Sequence, residues 1–435
     1  MRYHRGMLIT TIALSALVFA PSPDHRFGLT EAMPRIDGTI RIGSYNMLNY
    51  FDKVDDPTLQ DEYDDFGDNP GPTSHERCLE LAKVIIELDA DVLALQEVES
   101  KEALEWFNTT YLEDMGYTHV VSEEVGYYRG IEQSFLSRFP LTEVTTWTTV
   151  DLTKIERIGS GWTQIPAGTE EITFQRSPLC VTLRTPGGYE LTLFSIHQKA
   201  GRNSWHRELE SLQIMQFITS MSAENPDRNI AVIGDFNAQP WERSVRVYLR
   251  NGMTDVLSLR AINLKWDDNS PLRKTHTSGR MIDFILVNPA ALAEIVVDSG
   301  FVLGSAHPEY DWRNDAIPTG YASDHCALAM DIVPIEGRGD TIRGNPWPPA
   351  LTSTALKNTP RETTVQSVTS NNSDSKTAPV DTAPFLASRR SKVFHNADCG
   401  NAKRITDKNK VGYPTWKDAQ SAGKRPAKCC NPTDQ

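Results

Sequence analysis

Asn229-Ile230-Ala231-Val232-Ile233-Gly234-Asp235-Phe236-Asn237 is the stretch on which the reading of the chain turns. Ile230 to Ile233 is a short apolar run closed by Gly234, the pattern of a strand buried on both faces. Asp235 and Asn237 follow its end. Two residues apart in extended chain, they point to the same side. There a carboxylate and a carboxamide can hold a metal ion, a water or a phosphate oxygen. The same residues also suit an Asx-rich turn. The stretch alone leaves both readings open.

The 435 residues, 39% of them apolar, suffice for one large domain with appendages. Formal net charge is −13, which excludes a globally basic polyanion binder. The charge is uneven: residues 389–435 hold eleven Lys/Arg against four Asp/Glu, a net of +7, and the remainder carries −20. Arg2 and Arg5 precede an uncharged apolar stretch, Met7 to Ala20, too short for a membrane span of ~20 residues. This predicts a signal peptide over residues 1–20 and a secreted or periplasmic protein. Cys78, Cys180 and Cys326 sit in apolar contexts and read as buried thiols.

Several further apolar runs end in a polar group. Ile40 to Tyr45 leads to Asn46, Val92 to Leu95 leads to Gln96 and Glu97, and Tyr189 to Ile196 leads to His197. Met281 to Val287 carries Asp283, and Asp324 and His325 precede Ala327 to Val333. An acidic segment, Asp52 to Asp68, reads as a solvated loop with Ca²⁺ as an alternative ligand. Thr73-Ser-His-Glu76 predicts a helix with Leu79, Ala82, Ile85 and Ile86 on its apolar face. Arg202 to Ser222 predicts another, and 147–178 reads as a long surface excursion. Residues 335–388, rich in Ser, Thr, Pro and Asn, read as a disordered linker. Alternating strands and helices ahead of it indicate a layered α/β body. Carboxylates at the ends of buried strands need partners. Hard oxygen ligands with two His suit Mg²⁺ or Mn²⁺ and phosphate chemistry.

Five blocks, Ser44-Tyr-Asn46, Leu95-Gln-Glu97, Gly234-Asp-Phe-Asn237, Ile282-Asp283-Phe and Ser323-Asp-His325, occur in the order of the endonuclease/exonuclease/phosphatase superfamily. The resemblance spans 37–334. Asn46 to Asp52, Arg129-Gly-Ile and Ser137-Arg138 look most like its secreted nucleases. It implies a four-layered α/β sandwich, as in pancreatic deoxyribonuclease, and metal-dependent phosphoester hydrolysis. Carried over, Glu97 would be the principal metal ligand, with Asn46 beside it and Asp324 completing the environment. Asp235 would orient or deprotonate water, and Asn237 would contact the scissile phosphate. His325, held by Asp283, would stabilise phosphate or protonate the leaving group. His197 matches the second His of deoxyribonuclease-like members, with Glu132 the nearest acidic candidate to partner it. Lys199 and Arg138 are read as peripheral charges near the site.

The tail, residues 389–435, resembles a small α+β module like the zinc domain of the Ada repair protein. His395, Cys399, Cys429 and Cys430 are its candidate Zn²⁺ ligands, although Ala427 stands where that pattern has a Cys. A disulfide from Cys399 to Cys429 or Cys430 is the equal alternative. The expected substrate is nucleic acid, DNA first, with the basic tail as tether and no stable protein partner. Phospholipid or inositol phosphate head groups are the alternative substrates.

Overall fold

In the computed structural model the described residues are 26–54, 72–127, 129–259, 270–310, 316–336, 383–388, 393–403, 405, 409–422 and 424–427. They belong to two compact units, Met1–Pro349 and Ala350–Gln435. The expected signal peptide, most of the acidic segment 52–68, most of the expected linker 335–388, Cys429 and Cys430 lie outside the described residues.

The strands of the first unit are β1 (Ile40–Tyr50), β2 (Val92–Val98), β3 (His119–Ser122), β4 (Glu132–Ser137), β5 (Leu141–Thr145) and β6 (Leu179–Arg184). They continue with β7 (Glu190–His197), β8 (Ile230–Asp235), β9 (Thr254–Asp255), β10 (Asp283–Val287), β11 (Phe301–Leu303) and β12 (Ala327–Ile332). The main helices are α1 (His75–Leu88), α2 (Lys101–Tyr111), α3 (Ser204–Glu224) and α4 (Arg243–Arg250). One sheet has the order β11-β12-β1-β2-β4-β3, the other β5-β6-β7-β8-β10-β9. Each contains one parallel pair, β1 with β2 and β7 with β8, and antiparallel neighbours around it.

Three apolar layers separate four layers of structure. Ile42, Val92, Ala94 and Phe135 of the first sheet meet Leu193, Ala231, Ile233 and Ile285 of the second. On the outer face of the first sheet, Leu81, Ile85 and Leu88 of α1 and Leu104 and Phe107 of α2 pack on Leu93 and Leu95. On the other side α3 and α4 cover Phe194, Val232 and Leu286. Burying one such side chain contributes about 1.5–3 kcal/mol. The expected four-layered sandwich is the observed fold.

Two expectations about α1 need correction. The buried face of α1 is Cys78, Leu81, Ala82, Ile85 and Leu88, while Leu79 and Ile86 are exposed. Its cap is Ser74, whose hydroxyl accepts the Arg77 N–H. Thr73 instead accepts the Phe51 N–H. Residues 147–178 run mostly over the surface, as expected, but are pinned to the core at a few points. Leu152 and Phe174 are buried, and Trp147 stacks on Phe217 with ring centroids 4.4 Å apart. Aromatic anchoring without a strand leaves no periodicity in sequence.

The second unit has a four-stranded sheet in which Phe385–Ser388 lies between Val393–Asn396 and Lys410–Tyr413, and Arg425–Pro426 pairs with Val393–Asn396. Phe385, Phe394, Tyr413 and Ala419 form its core. The strand Phe385–Ser388 falls inside the stretch expected as linker, so the ordered module begins before residue 389.

Candidate active site

One cross-strand row builds half of the site. In the register of the second sheet Asp235 pairs with His197 on one side and Asp283 on the other. Gly234 makes this row close-set: its φ is +128°, and a Cβ there would stand 2.2 Å from the Ile196 carbonyl oxygen. The first sheet supplies the other half from the ends of β1 and β2. Asn46 Nδ2 donates to Glu97 Oε1 at 3.3 Å and, across the two sheets, to Asp235 Oδ2 at 3.4 Å. Its Oδ1 accepts the Leu48 N–H at 2.9 Å, which fixes the amide orientation. Glu97 Oε2 accepts the Asn49 N–H at 2.8 Å.

The backbone at these strand ends is unusual. Among the described residues seven non-glycine residues have positive φ, and Leu48, Asn49, Glu97 and Asn237 are four of them. Left-handed backbone costs free energy and persists where surroundings over-determine it. Buried Arg77 does so for the first pair, donating to the carbonyls of Met47, Leu48 and Ala322.

Asp235 is 2% exposed. Its Oδ1 accepts the Asn237 backbone N–H at 2.7 Å, and its Oδ2 accepts Asn237 Nδ2 at 3.1 Å. Asn237 Nδ2 also donates to the Gln198 carbonyl, so the amide holds the carboxylate in place. Burial first, and Asp283 and Glu97 nearby, raise the Asp235 pKa above the ordinary carboxylate value, against the pull of His325. His325 Nδ1 lies 2.9 Å from both oxygens of Asp283. Its Nε2 faces Asp235 Oδ2 and Asp324 Oδ1, each at 3.8 Å. Burial opposes its charge, yet Asp283, Asp324 and Asp235 together hold its pKa well above the usual value. Burial raises and His325 and His276 lower the Asp324 pKa, with a net result below the ordinary range.

His197 is the contrary case. Nε2 lies 3.4 Å from Asp235 Oδ2 and 3.6 Å from Glu97 Oε1, and Nδ1 has no hydrogen-bond partner among the described residues. Glu132 therefore does not partner it. Burial, then Arg176 and Arg129, push its pKa well below the usual value, so the ring is neutral.

The eight residues singled out in the body thus meet in one place, linked by the contacts above. Arg138 does not join them: it pairs with Asp89 and Asp91 near the opposite end of β2. Two groups not assigned to the site from sequence border it: Arg129, quoted only for the resemblance, and His276. Arg129 donates to Asn49 Oδ1 and brings positive charge towards His197. His276 Nε2 lies 3.1 Å from Asp324 Oδ2, and its ring meets that of His325 edge-on at 4.7 Å. Thr275-His-Thr277 just ahead of the Asp283 strand was the available signal. In the tail unit Cys399 Sγ lies 3.7 Å from His395 Nδ1.

The donor set fits a divalent cation. Carboxylates of Glu97, Asp235, Asp283 and Asp324 crowd one region, and such crowding is relieved by a hard, oxygen-binding ion. Ligand atoms of Asp235, Asp283 and His325 lie within 4.8 Å of one another, as do those of His276, Asp324 and His325.

Residues 44–325, more than half of the chain, match the Endonuclease/Exonuclease/phosphatase family. The chain belongs to this family. No curated protein matches the chain. Among solved structures, the human Nocturnin catalytic domain with bound sulfate anion is 18% identical, covering 69% of this chain and 96% of that one, with a TM-score of 0.44. D. rerio TDP2 complexed with single strand DNA product is 17% identical, with coverages of 68% and 99% and a TM-score of 0.43. A mannosyl-6-phosphatase of Bacteroides thetaiotaomicron is 16% identical, with coverages of 67% and 98% and a TM-score of 0.42. Members of the family are phosphoester hydrolases and generally use a divalent metal, which the acidic and His cluster of this chain could hold.

Proposed function

We propose that the chain is an exported phosphodiesterase that hydrolyses nucleic acid, DNA first, with Mg²⁺ or Mn²⁺. The observation that carries the chemistry is the placing of His325 Nε2 and the Asp235 carboxylate 3.8 Å apart, each held from behind by its own partner. A buried carboxylate with a raised pKa is a competent base for water, and an imidazolium is a competent donor to phosphate or the leaving oxygen. Asp235 takes the proton of the attacking water. Asn237 fixes its orientation and borders the phosphate. Asp283 keeps His325 charged, and His325 Nε2–H neutralises the phosphate or protonates the leaving group. Glu97 and Asp324, with Asn46 alongside, would hold a divalent cation, which would add positive charge against the phosphate. His197, neutral and buried, orders the Glu97 and Asp235 oxygens.

The basic tail, with its net charge of +7, favours a polyanionic substrate, and we assign it the role of tether. His395 and Cys399 would hold Zn²⁺, with Cys429 and Cys430 as the remaining candidate ligands; zinc analysis with and without reductant separates this from the equal alternative, a disulfide from Cys399.

Purified protein incubated with plasmid DNA, RNA, sphingomyelin and inositol phosphates, with Mg²⁺ or chelator, tests the reading. Expected is metal-dependent DNA cleavage, abolished in Asp235→Ala. Lipid or inositol phosphate turnover without nucleic-acid cleavage overturns the substrate assignment.

A further inference from the structure

His276 belongs to none of the five sequence blocks, yet the fold spends several interactions on placing it. Its backbone bridges both Arg280 and His325. Thr277 N–H donates to the Asp324 carbonyl, and the Cys326 N–H donates to the Thr275 carbonyl. Thr275 Oγ1 accepts the N–H groups of Ile282 and Asp283. The turn 275–280 is thus clamped between the strand that carries Asp283 and the segment that carries Asp324 and His325.

The ring is oriented as well. The Ser278 backbone N–H donates to His276 Nδ1 at 3.0 Å. A backbone amide can only donate, so Nδ1 is the acceptor and Nε2 carries the proton. That proton points to Asp324 Oδ2 at 3.1 Å. The tautomer decides between two roles. His276, Asp324 and His325 sit close enough to suggest a cation cradle of two nitrogens and a carboxylate. A metal ligand needs a lone pair on Nε2, and the Ser278 amide denies it that form. His276 is instead a donor to a carboxylate that is itself only partly buried and has its other oxygen, Oδ1, turned towards His325 Nε2.

We propose that His276 is a positioning residue: its Nε2–H pins Oδ2 of Asp324 and thereby keeps Oδ1 presented to the cation and phosphate site. The inference rests on the phosphodiesterase reading, in which Asp324 is a cation ligand. Hydrogen bonds to ligating carboxylates orient them, and their loss typically costs 10–100-fold in metal affinity or activity.

The test uses the full-length protein and three variants, His276→Ala, His276→Phe and His276→Gln. Mn²⁺ affinity is measured by calorimetry without substrate, and kcat and KM on a small phosphodiester at saturating Mn²⁺. Circular dichroism melting confirms folding. Expected are about tenfold weaker Mn²⁺ binding and about tenfold lower kcat with nearly unchanged KM in the Ala and Phe variants. The Gln variant, which restores an N–H donor, recovers most of both. Phe keeps the edge contact with His325 but not the donor. If Phe behaves like the wild type, or if Gln is as impaired as Ala, the ring acts by packing alone and the inference is overturned. Unchanged Mn²⁺ affinity in all three also overturns it. A wild-type protein that binds Mn²⁺ but hydrolyses no phosphodiester instead sinks the functional reading, and the affinity series still judges His276.

Discussion

Two buried ion pairs lie in the same sandwich and share a geometry, and only one belongs to the site. At the start of β1, Arg41 Nε and Nη2 reach Asp331 Oδ1 and Oδ2 at 2.8 and 3.1 Å. At the other end, His325 Nδ1 reaches both oxygens of Asp283 at 2.9 Å. All four side chains are nearly inaccessible. The difference is in what remains. The Arg41 guanidinium spends its other donors on the carbonyls of Leu88 and Pro34 and stacks over Phe301. His325 keeps Nε2 uncommitted and aimed between two further carboxylates. Burial and charge alone do not mark a reactive group; an unspent polar atom facing other reactive groups does.

The contrast can be broken experimentally. His325→Ala, and to a lesser degree Asp283→Asn, should lower kcat on a phosphodiester by about 10²–10⁴-fold, the span of general acid–base effects. Turnover within tenfold of wild type would remove the chemical role of the pair. Arg41→Ala should cost about 3–5 kcal/mol in urea unfolding, because it strands the Asp331 charge. Turnover per folded molecule should be unchanged; a parallel loss of activity would erase the distinction.

A third measurement concerns pH in the metal-free protein. His325, with a folded pKa above its unfolded value, contributes stability that is full below the unfolded pKa and is lost as pH rises through the folded one. His197, with a lowered folded pKa, disfavours the fold as pH falls below the unfolded value. Asp283→Asn should therefore flatten the alkaline limb of the stability profile and His197→Gln the acid limb. Ring resonances should show His325 protonated where His197 is neutral. The smallest effect is expected from replacing Arg41 and Asp331 together by Met and Leu. That double change should cost less than Arg41→Ala alone, since apolar replacement of a buried pair is often neutral.

Much of this was legible in sequence because apolar runs ending in a polar residue are local signals. β1, β2, β7 and β8 announced themselves that way, and β10 and β12 by an Asp at or just ahead of the run. The opening stretch gave two readings: the Asx turn is present, Asp235 Oδ1 accepting the Asn237 N–H, while Oδ2 stands beside Asn46 and His325. Other features were hidden for physical reasons. Arg77 is charged and is absent from the apolar face expected for α1, yet it is buried against remote carbonyls. His276 stands in a polar stretch with no period, and its partner Asp324 is 48 residues away. Arg138 adjoins a recognisable block, but its fork is taken by Asp89 and Asp91. Such pairings depend on tertiary placement, which spacing along the chain does not encode.

The amide of Asn46 joins a carboxylate of its own sheet to one 189 residues further on in the other sheet. Neither sheet contains a working site by itself. Hydrolytic activity is consequently a reporter of docking between two halves of the domain, not of either half. In a refolding experiment, recovery of turnover will lag behind the backbone signal of strand formation, and the interval between them times the closure of the sandwich.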